Sequence, residues 1–202
     1  MDFVAIDFET ATSKPTSVCS LGICVVKDNK ITLNKEFLIK PVPFEFNDYN
    51  IYIHGITPER VAGCMTFNYL WDSLKPYIDN NLVVAHNAAF DVGALRHTLD
   101  MFNIEYPTFD YLCTVKLAQL AYPELPSHKL NTLSDALGIH LNHHQAMDDS
   151  FACASILLRI MEDYNLESIC DIEECFEIGI GKLYPGCYEP CTKRKNIRKR
   201  KT

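Results

Sequence analysis

Residues Phe3-Val4-Ala5-Ile6-Asp7-Phe8-Glu9-Thr10 set two carboxylates into an otherwise apolar run. A run of this length and character reads as a buried central strand, and in a strand residues two apart project from one face. Asp7 and Glu9 therefore share a face, while Ile6 and Phe8 enter the opposite packing layer. Two carboxylates this close repel, and each raises the pKa of the other unless a cation lies between them. Magnesium or manganese, which prefer hard oxygen ligands, suit such a pair. Taken alone, the pair equally reads as a strand end carrying two charges into solvent.

Two more apolar stretches carry isolated charges. Asp91 sits in His86-Asn87-Ala88-Ala89-Phe90-Asp91-Val92, in the first turn of an expected helix. The helix dipole alone would account for an acid there. His144 and Asp149 sit in His144-Gln145-Ala146-Met147-Asp148-Asp149-Ser150, ahead of another expected helix. Capping explains the acids, and an exposed loop explains the histidine. A histidine five residues ahead of an anchored carboxylate can also swing over a metal and accept a proton near neutral pH. His143 and Asp148 have the same separation, so spacing does not choose between the two pairs. None of the three stretches contains Lys or Arg, and buried carboxylates without a counter-charge are costly.

Outward from these stretches the chain reads as alternating elements. Val18–Val26 and Ile31–Ile39 are β-branched runs joined by Lys27-Asp28-Asn29-Lys30, the pattern of a hairpin. Thr57-Pro58 resembles an N-cap followed by Pro at the first helical position. Phe67–Ile78 carries Phe67, Leu70, Trp71, Leu74 and Ile78 on one helical stripe. Leu82–Ala85 is a short strand, and Asn87 is placed to cap a helix with Ala88, Val92, Leu95, Leu99 and Phe102 on one side. Val115–Ala121, Thr132–Leu137 and Asp149–Asp163 read as helices, the second ended by Gly138. Strands first, then helices alternating with strands, predict an α/β fold with a mixed sheet flanked by helices.

The 202-residue chain is 48% hydrophobic and 22% charged, which fits a globular protein with one sizeable core. No apolar run approaches bilayer length, and the acidic start at Met1-Asp2 does not resemble an export signal, so the expected location is cytoplasmic. In that setting Cys19, Cys24, Cys64, Cys113 and Cys153 read as small buried hydrophobes. Net charge is −7, but Lys193 to Lys201 hold seven of the 19 basic residues. Residues 1–192 carry 12 basic against 26 acidic side chains, a balance of −14. An acidic body argues against broad duplex binding driven by counterion release, and remains compatible with a narrow site that meets phosphate through metal ions.

Taken in order and spacing, Val4–Thr12, His86–Leu95 and His144–Ser150 resemble the three exonuclease motifs of the DEDDh (DnaQ-like) 3′–5′ exonucleases. These belong to the RNase H-like superfamily and include bacterial DNA polymerase III epsilon-type proofreading exonucleases. Ile53-His54-Gly55-Ile56-Thr57-Pro58-Glu59 also resembles a connecting segment of bacterial members. The resemblance covers about residues 1–163. It implies an RNase H-like fold in which Asp7, Glu9, Asp91 and Asp149 hold two divalent ions (Mg²⁺ or Mn²⁺), Asp7 bridging both, with His144 as general base. Ala146 matches the H-x-A-x-x-D form of the third motif and favours His144/Asp149 over His143/Asp148. The implied product is a nucleoside 5′-monophosphate. Thr10, Ala11, His54 and Phe90 are expected substrate contacts, the last by stacking on a base.

Beyond Tyr164 the resemblance fades. The expected organisation is an exonuclease domain over 1–164, a small cysteine-containing extension over 165–192 and a mobile basic tail over 193–202. Cys170, Cys175, Cys187 and Cys191 form C-x4-C and C-x3-C pairs near zinc-ligand spacing. Without the tight C-x2-C knuckle they read as reduced thiols rather than a structural zinc site. The leading expectation is a metal-dependent exonuclease on single-stranded or frayed DNA 3′ ends, either standing alone, as in repair, or serving a DNA polymerase chain as its proofreader. An RNA-trimming exoribonuclease uses the same metal site, and a non-catalytic nucleic-acid-binding module on this fold is the alternative from another class.

Overall fold

The computed structural model describes residues 1–140 and 144–193. In chain order the elements are β1 (Phe3–Thr10), β2 (Val18–Lys27), β3 (Lys30–Leu38), α1 (Asp48–His54), α2 (Pro58–Val61), α3 (Phe67–Ile78), β4 (Leu82–Ala85), α4 (Ala88–Met101), β5 (Phe109–Cys113), α5 (Thr114–Ala121), α6 (Leu130–Leu137), α7 (Ala146–Tyr164), α8 (Ile169–Phe176), β6 (Ile178–Gly179), β7 (Gly181–Tyr184), β8 (Cys187–Glu189) and β9 (Thr192–Lys193).

Seven strands form one mixed sheet in the order β3-β2-β1-β4-β5-β7-β8, and β6 and β9 pair separately. The β2–β3 hairpin turns at Asp28 and Asn29, both at positive φ (49° and 59°), between paired Lys27 and Lys30. Two successive left-handed residues match the right-handed strand twist, and short polar side chains tolerate them. Strand β1 lies between antiparallel β2 and parallel β4, and β4 runs parallel to β5. This is the expected α/β arrangement, a mixed sheet flanked by helices.

Helix α7 crosses both β1 and β2, and buries Ile156, Leu157 and Ile160 in the main core. A second small cluster of Ala11, Cys19, Ile56 and Val61 seats the α1–α2 segment on the end of β1. The 165–192 segment contributes β7 and β8 to the edge of the central sheet. There Gly181 lies against the Tyr111 ring so closely that a β-carbon would overlap it.

Several boundaries differ from the sequence reading. Helix α7 begins at Ala146, three residues before Asp149, and α1 forms where the sequence reading named no element. Asn87 occupies the N-cap of α4, but with φ 70° and no side-chain capping bond. His143 of the competing motif pair, and the basic tail beyond Lys193, lie outside the described residues. No helix among the described residues is long and apolar enough to cross a membrane.

Candidate active site

The register of β1 fixes the first two carboxylates. Asp7 pairs with Gly22 and Glu9 with Ser20, and an irregularity between Glu9 and Thr10 ends the regular ladder. Parallel pairing with β4 brings the carboxyl end of that strand alongside β1. The chain then passes His86 and Asn87 into α4, which delivers Asp91 to the underside of β1. Asp91 is 1% exposed, and its Oδ1 accepts a hydrogen bond of 2.9 Å from the Phe8 backbone N–H. A surface helix-dipole acid would not be buried in this way.

The third segment arrives from the other side. A β-carbon on Gly22 would overlap the Ala146 carbonyl and stand 2.8 Å from the Met147 nitrogen. Glycine therefore lets the first turn of α7 rest directly on the strand that pairs with Asp7. Asp149, one turn into α7, is buried and accepts a 3.0 Å hydrogen bond at Oδ2 from the His144 N–H. That bond closes the loop over the helix start, with His144 at φ 67°. Ligand atoms of Glu9, His144 and Asp149 all lie within 4.8 Å of one another.

Electrostatics follow from this crowding. Burial first, then Asp91, Asp149 and Glu9, push the Asp7 carboxyl well above its ordinary range. Burial, then Asp149, Asp91 and Glu36, push Glu9 up to about 8. Burial raises Asp91 to about 7 against the pull of the Phe8 and Asp91 backbone hydrogen bonds, with Asp149 adding to the rise. Clustered carboxylates with raised proton affinity, presenting hard oxygen donors and one imidazole, fit divalent cations.

Asp7, Glu9, His144 and Asp149 line a cavity of about 490 Å³, and Phe90 lines it as well. Asp91 stands behind it. Thr10, Ala11 and His54 are buried beside the cavity and do not line it. His54 Nδ1 accepts the Ile56 N–H at 3.0 Å, so its Nε2–H faces the Thr10 carbonyl at 3.2 Å. Burial foremost holds its pKa below the usual value. The Ala11 backbone bonds to Ser17 and Asn47. Cys170, Cys175 and Cys187 are exposed and Cys191 is buried. Among the described residues these four contain no group of three at metal-ligand spacing.

The sequence reading missed Gly22 and part of the cavity wall, Gln119, His128 and Lys129. A lone glycine inside a β-branched strand was the available sign of a close backbone approach. The wall residues carry no motif that marks them.

Similarity to known proteins falls on the same frame. A family model described as Exonuclease matches residues 4–157. A DNA polymerase III PolC-type protein of Clostridium perfringens is 35% identical over 196 residues, covering 90% of this chain and 13% of that protein. Its counterpart in Listeria monocytogenes is 31% identical over 170 residues, covering 78% of this chain and 12% of that protein. The chain thus spans about an eighth of the length of these curated relatives. Exonuclease X, solved in complex with 5′ overhanging duplex DNA, superposes with a TM-score of 0.68 at 24% identity, covering 84% of this chain and 98% of the other. The nuclease domain of 3′hExo, a DEDDh family member bound to rAMP, gives 0.68 at 20% identity, covering 83% and 94%. At these identities the superpositions speak for the fold.

Proposed function

The chain belongs to the exonuclease family, as a DnaQ-like 3′–5′ exonuclease of the RNase H-like superfamily, and from that premise we propose that it removes nucleoside 5′-monophosphates from single-stranded or frayed DNA 3′ ends. The observation that carries this reading is the convergence of Asp7, Glu9, His144 and Asp149 on one cavity, with Asp91 buried behind them. DNA is preferred as substrate because the curated relatives are DNA polymerase III PolC-type proteins. The same relatives make a polymerase chain the natural partner and proofreading the natural role.

In this reading Asp7, Glu9, Asp91 and Asp149 would hold two divalent ions, Mg²⁺ or Mn²⁺. When bound, such ions lower the pKa of the attacking water and neutralise charge on the phosphoryl oxygens. His144 takes the proton from that water as its oxygen bonds to phosphorus, and the bond from phosphorus to the 3′ oxygen of the penultimate nucleotide breaks, that oxygen leaving with the electron pair and taking a proton from solvent. Asp149 orients this base, because its carboxylate fixes the His144 backbone. The Phe8 N–H holds the Asp91 carboxylate toward β1. Phe90, 44% exposed at the cavity edge, offers a face on which the terminal base stacks. Thr10 and His54 serve the same end of the site from behind, by fixing the backbone just after Glu9.

The test is incubation of wild type and Asp7→Ala with 5′-labelled single-stranded DNA, with and without Mn²⁺ or Mg²⁺. A ladder shortening from the 3′ end, requiring metal and absent in the variant, is expected. Faster shortening of a matched RNA would reassign the substrate. No shortening of either polymer would favour a non-catalytic binding module. Removal of Lys193–Thr202 is expected to weaken DNA affinity at low salt without changing the chemical step, and unchanged affinity would remove that role from the tail.

A further inference from the structure

The cavity that the carboxylates line is also lined by Lys129, the one Lys or Arg side chain among the described residues there. Lys129 is exposed and occupies the N-cap of α6, where its side chain makes no capping hydrogen bond. Both facts run against helix stability. N-caps favour Ser, Thr, Asp or Asn, whose side-chain oxygens satisfy the first free N–H groups, and a cation beside the positive end of a helix is repelled by it. A residue that breaks a local rule at the rim of a site is a candidate for function.

Its backbone is nonetheless firmly braced to the catalytic frame. The His86 Nε2–H donates to the His128 carbonyl at 3.1 Å, and Nδ1 lies 2.9 Å from the Thr114 hydroxyl. His128 in turn donates from Nε2 to the Tyr122 carbonyl at 2.9 Å. His86 is the residue that leads, through Asn87, into the helix of Asp91. The position of Lys129 is therefore tied to the same segment that positions a metal-binding carboxylate.

Charge supplies the remaining reason. Two divalent ions would be matched in formal charge by Asp7, Glu9, Asp91 and Asp149, so even where those ions meet phosphoryl oxygens the net negative charge of the strand is left uncompensated. Lys129 lines the same cavity, so a nucleotide occupying it would meet both the carboxylates and this cation. We propose that Lys129 is a phosphate-binding residue, with His86 and His128 as positioning residues that hold its loop. The proposal rests on the phosphodiesterase reading above.

The experiment compares wild type with Lys129→Ser, Lys129→Met and Lys129→Arg on a single-stranded DNA oligonucleotide and on thymidine 5′-monophosphate p-nitrophenyl ester. The ester carries only the scissile phosphodiester. With oligonucleotide, Lys129→Met should raise KM on the order of tenfold, as loss of a charge-assisted hydrogen bond predicts, and Lys129→Arg should restore it. The salt dependence of oligonucleotide binding, followed by fluorescence anisotropy, should lose about 0.7 from its log–log slope in Lys129→Met. Lys129→Ser should melt higher than wild type while binding more weakly, because serine improves the cap and removes the phosphate contact.

An equal defect on the ester assigns Lys129 to the scissile phosphate, and a defect confined to the oligonucleotide assigns it to the next phosphate along the strand. Unchanged KM and unchanged salt slope would overturn the proposal. Failure of wild type to hydrolyse either substrate with Mn²⁺ would instead sink the phosphodiesterase reading.

Discussion

Gly22 carries no side chain because the Ala146 carbonyl occupies the space where a β-carbon would stand. Gly22 is also the strand partner of Asp7, and Ala146 opens the helix that bears Asp149. One missing methyl group thus sets how closely two of the carboxylates approach. Gly22→Ala should displace the first turn of α7 and destabilise the protein by about 1–3 kcal/mol or more, the range for overpacking a close contact. Nuclease activity should fall much further than stability alone explains. Thermal melting alongside single-turnover rates checks this, and wild-type activity in a folded variant would show that the approach does not position the site.

The buried carboxylates couple stability to pH and metal. A carboxyl whose pKa is higher in the folded state binds its proton more tightly when folded. Its stabilising contribution is complete below the unfolded value and is lost as pH rises through the folded one. For Glu9 the window runs from 4.5 to about 8, and for Asp91 from 3.8 to about 7. Metal-free protein should therefore lose stability across that range. Mn²⁺ should restore it increasingly toward the alkaline end, since cations compete with protons for the same oxygens. Asp91→Asn keeps an acceptor for the Phe8 N–H and removes the charge, so it should melt higher than wild type in chelator at pH 8 and lose the gain from Mn²⁺. Melting curves in chelator and in Mn²⁺ between pH 5 and 9 decide it.

His54 braces rather than reacts. Truncation in His54→Ala leaves the Ile56 N–H and one acceptor site of the Thr10 carbonyl without that partner, a loss of about 1–3 kcal/mol for each group left unsatisfied. Because its folded pKa is depressed, the contribution of His54 is present above the unfolded value and lost as pH falls through the folded one. Comparing melting temperatures of wild type and variant from pH 4 to 8 should show the gap narrowing toward acid. A gap independent of pH would show that protonation of His54 does not govern the brace.

The assignment of His144 as base predicts a selective kinetic defect. His144→Ala should lower kcat by about 10²–10⁴-fold, the usual contribution of a positioned general base, with KM for DNA changed far less. The Asp149 carboxylate bonds to the His144 backbone, which alanine retains, so the loop should keep its shape. A variant with near-normal kcat would pass the role to another acceptor.

Much of this architecture is legible in the chain itself. The period-two placement of Asp7 and Glu9, the hairpin at Asp28-Asn29 and the apolar stripe of Phe67–Ile78 are local patterns, and local sterics and burial enforce them wherever they occur. Ordered spacing of the three acidic segments then selected the family. Helix α1 escaped notice because its seven residues expose Tyr49 and Tyr52 and form no regular apolar stripe.

What the sequence could not contain is distance between segments. Asp91 reads equally as a dipole-favoured surface acid until the parallel β1–β4 pairing buries it against Phe8. Lys129, at the N-cap of α6, belongs to no motif, and the His86–His128 bond joins its segment to the site. Short-range rules of pleat, turn and cap act between neighbours and are written in order along the chain. Raised carboxyl pKa values, the shared cavity and the cation that lines it arise from groups far apart in sequence, so the packing of α7 and α4 on β1, with α6 against α7, decides them.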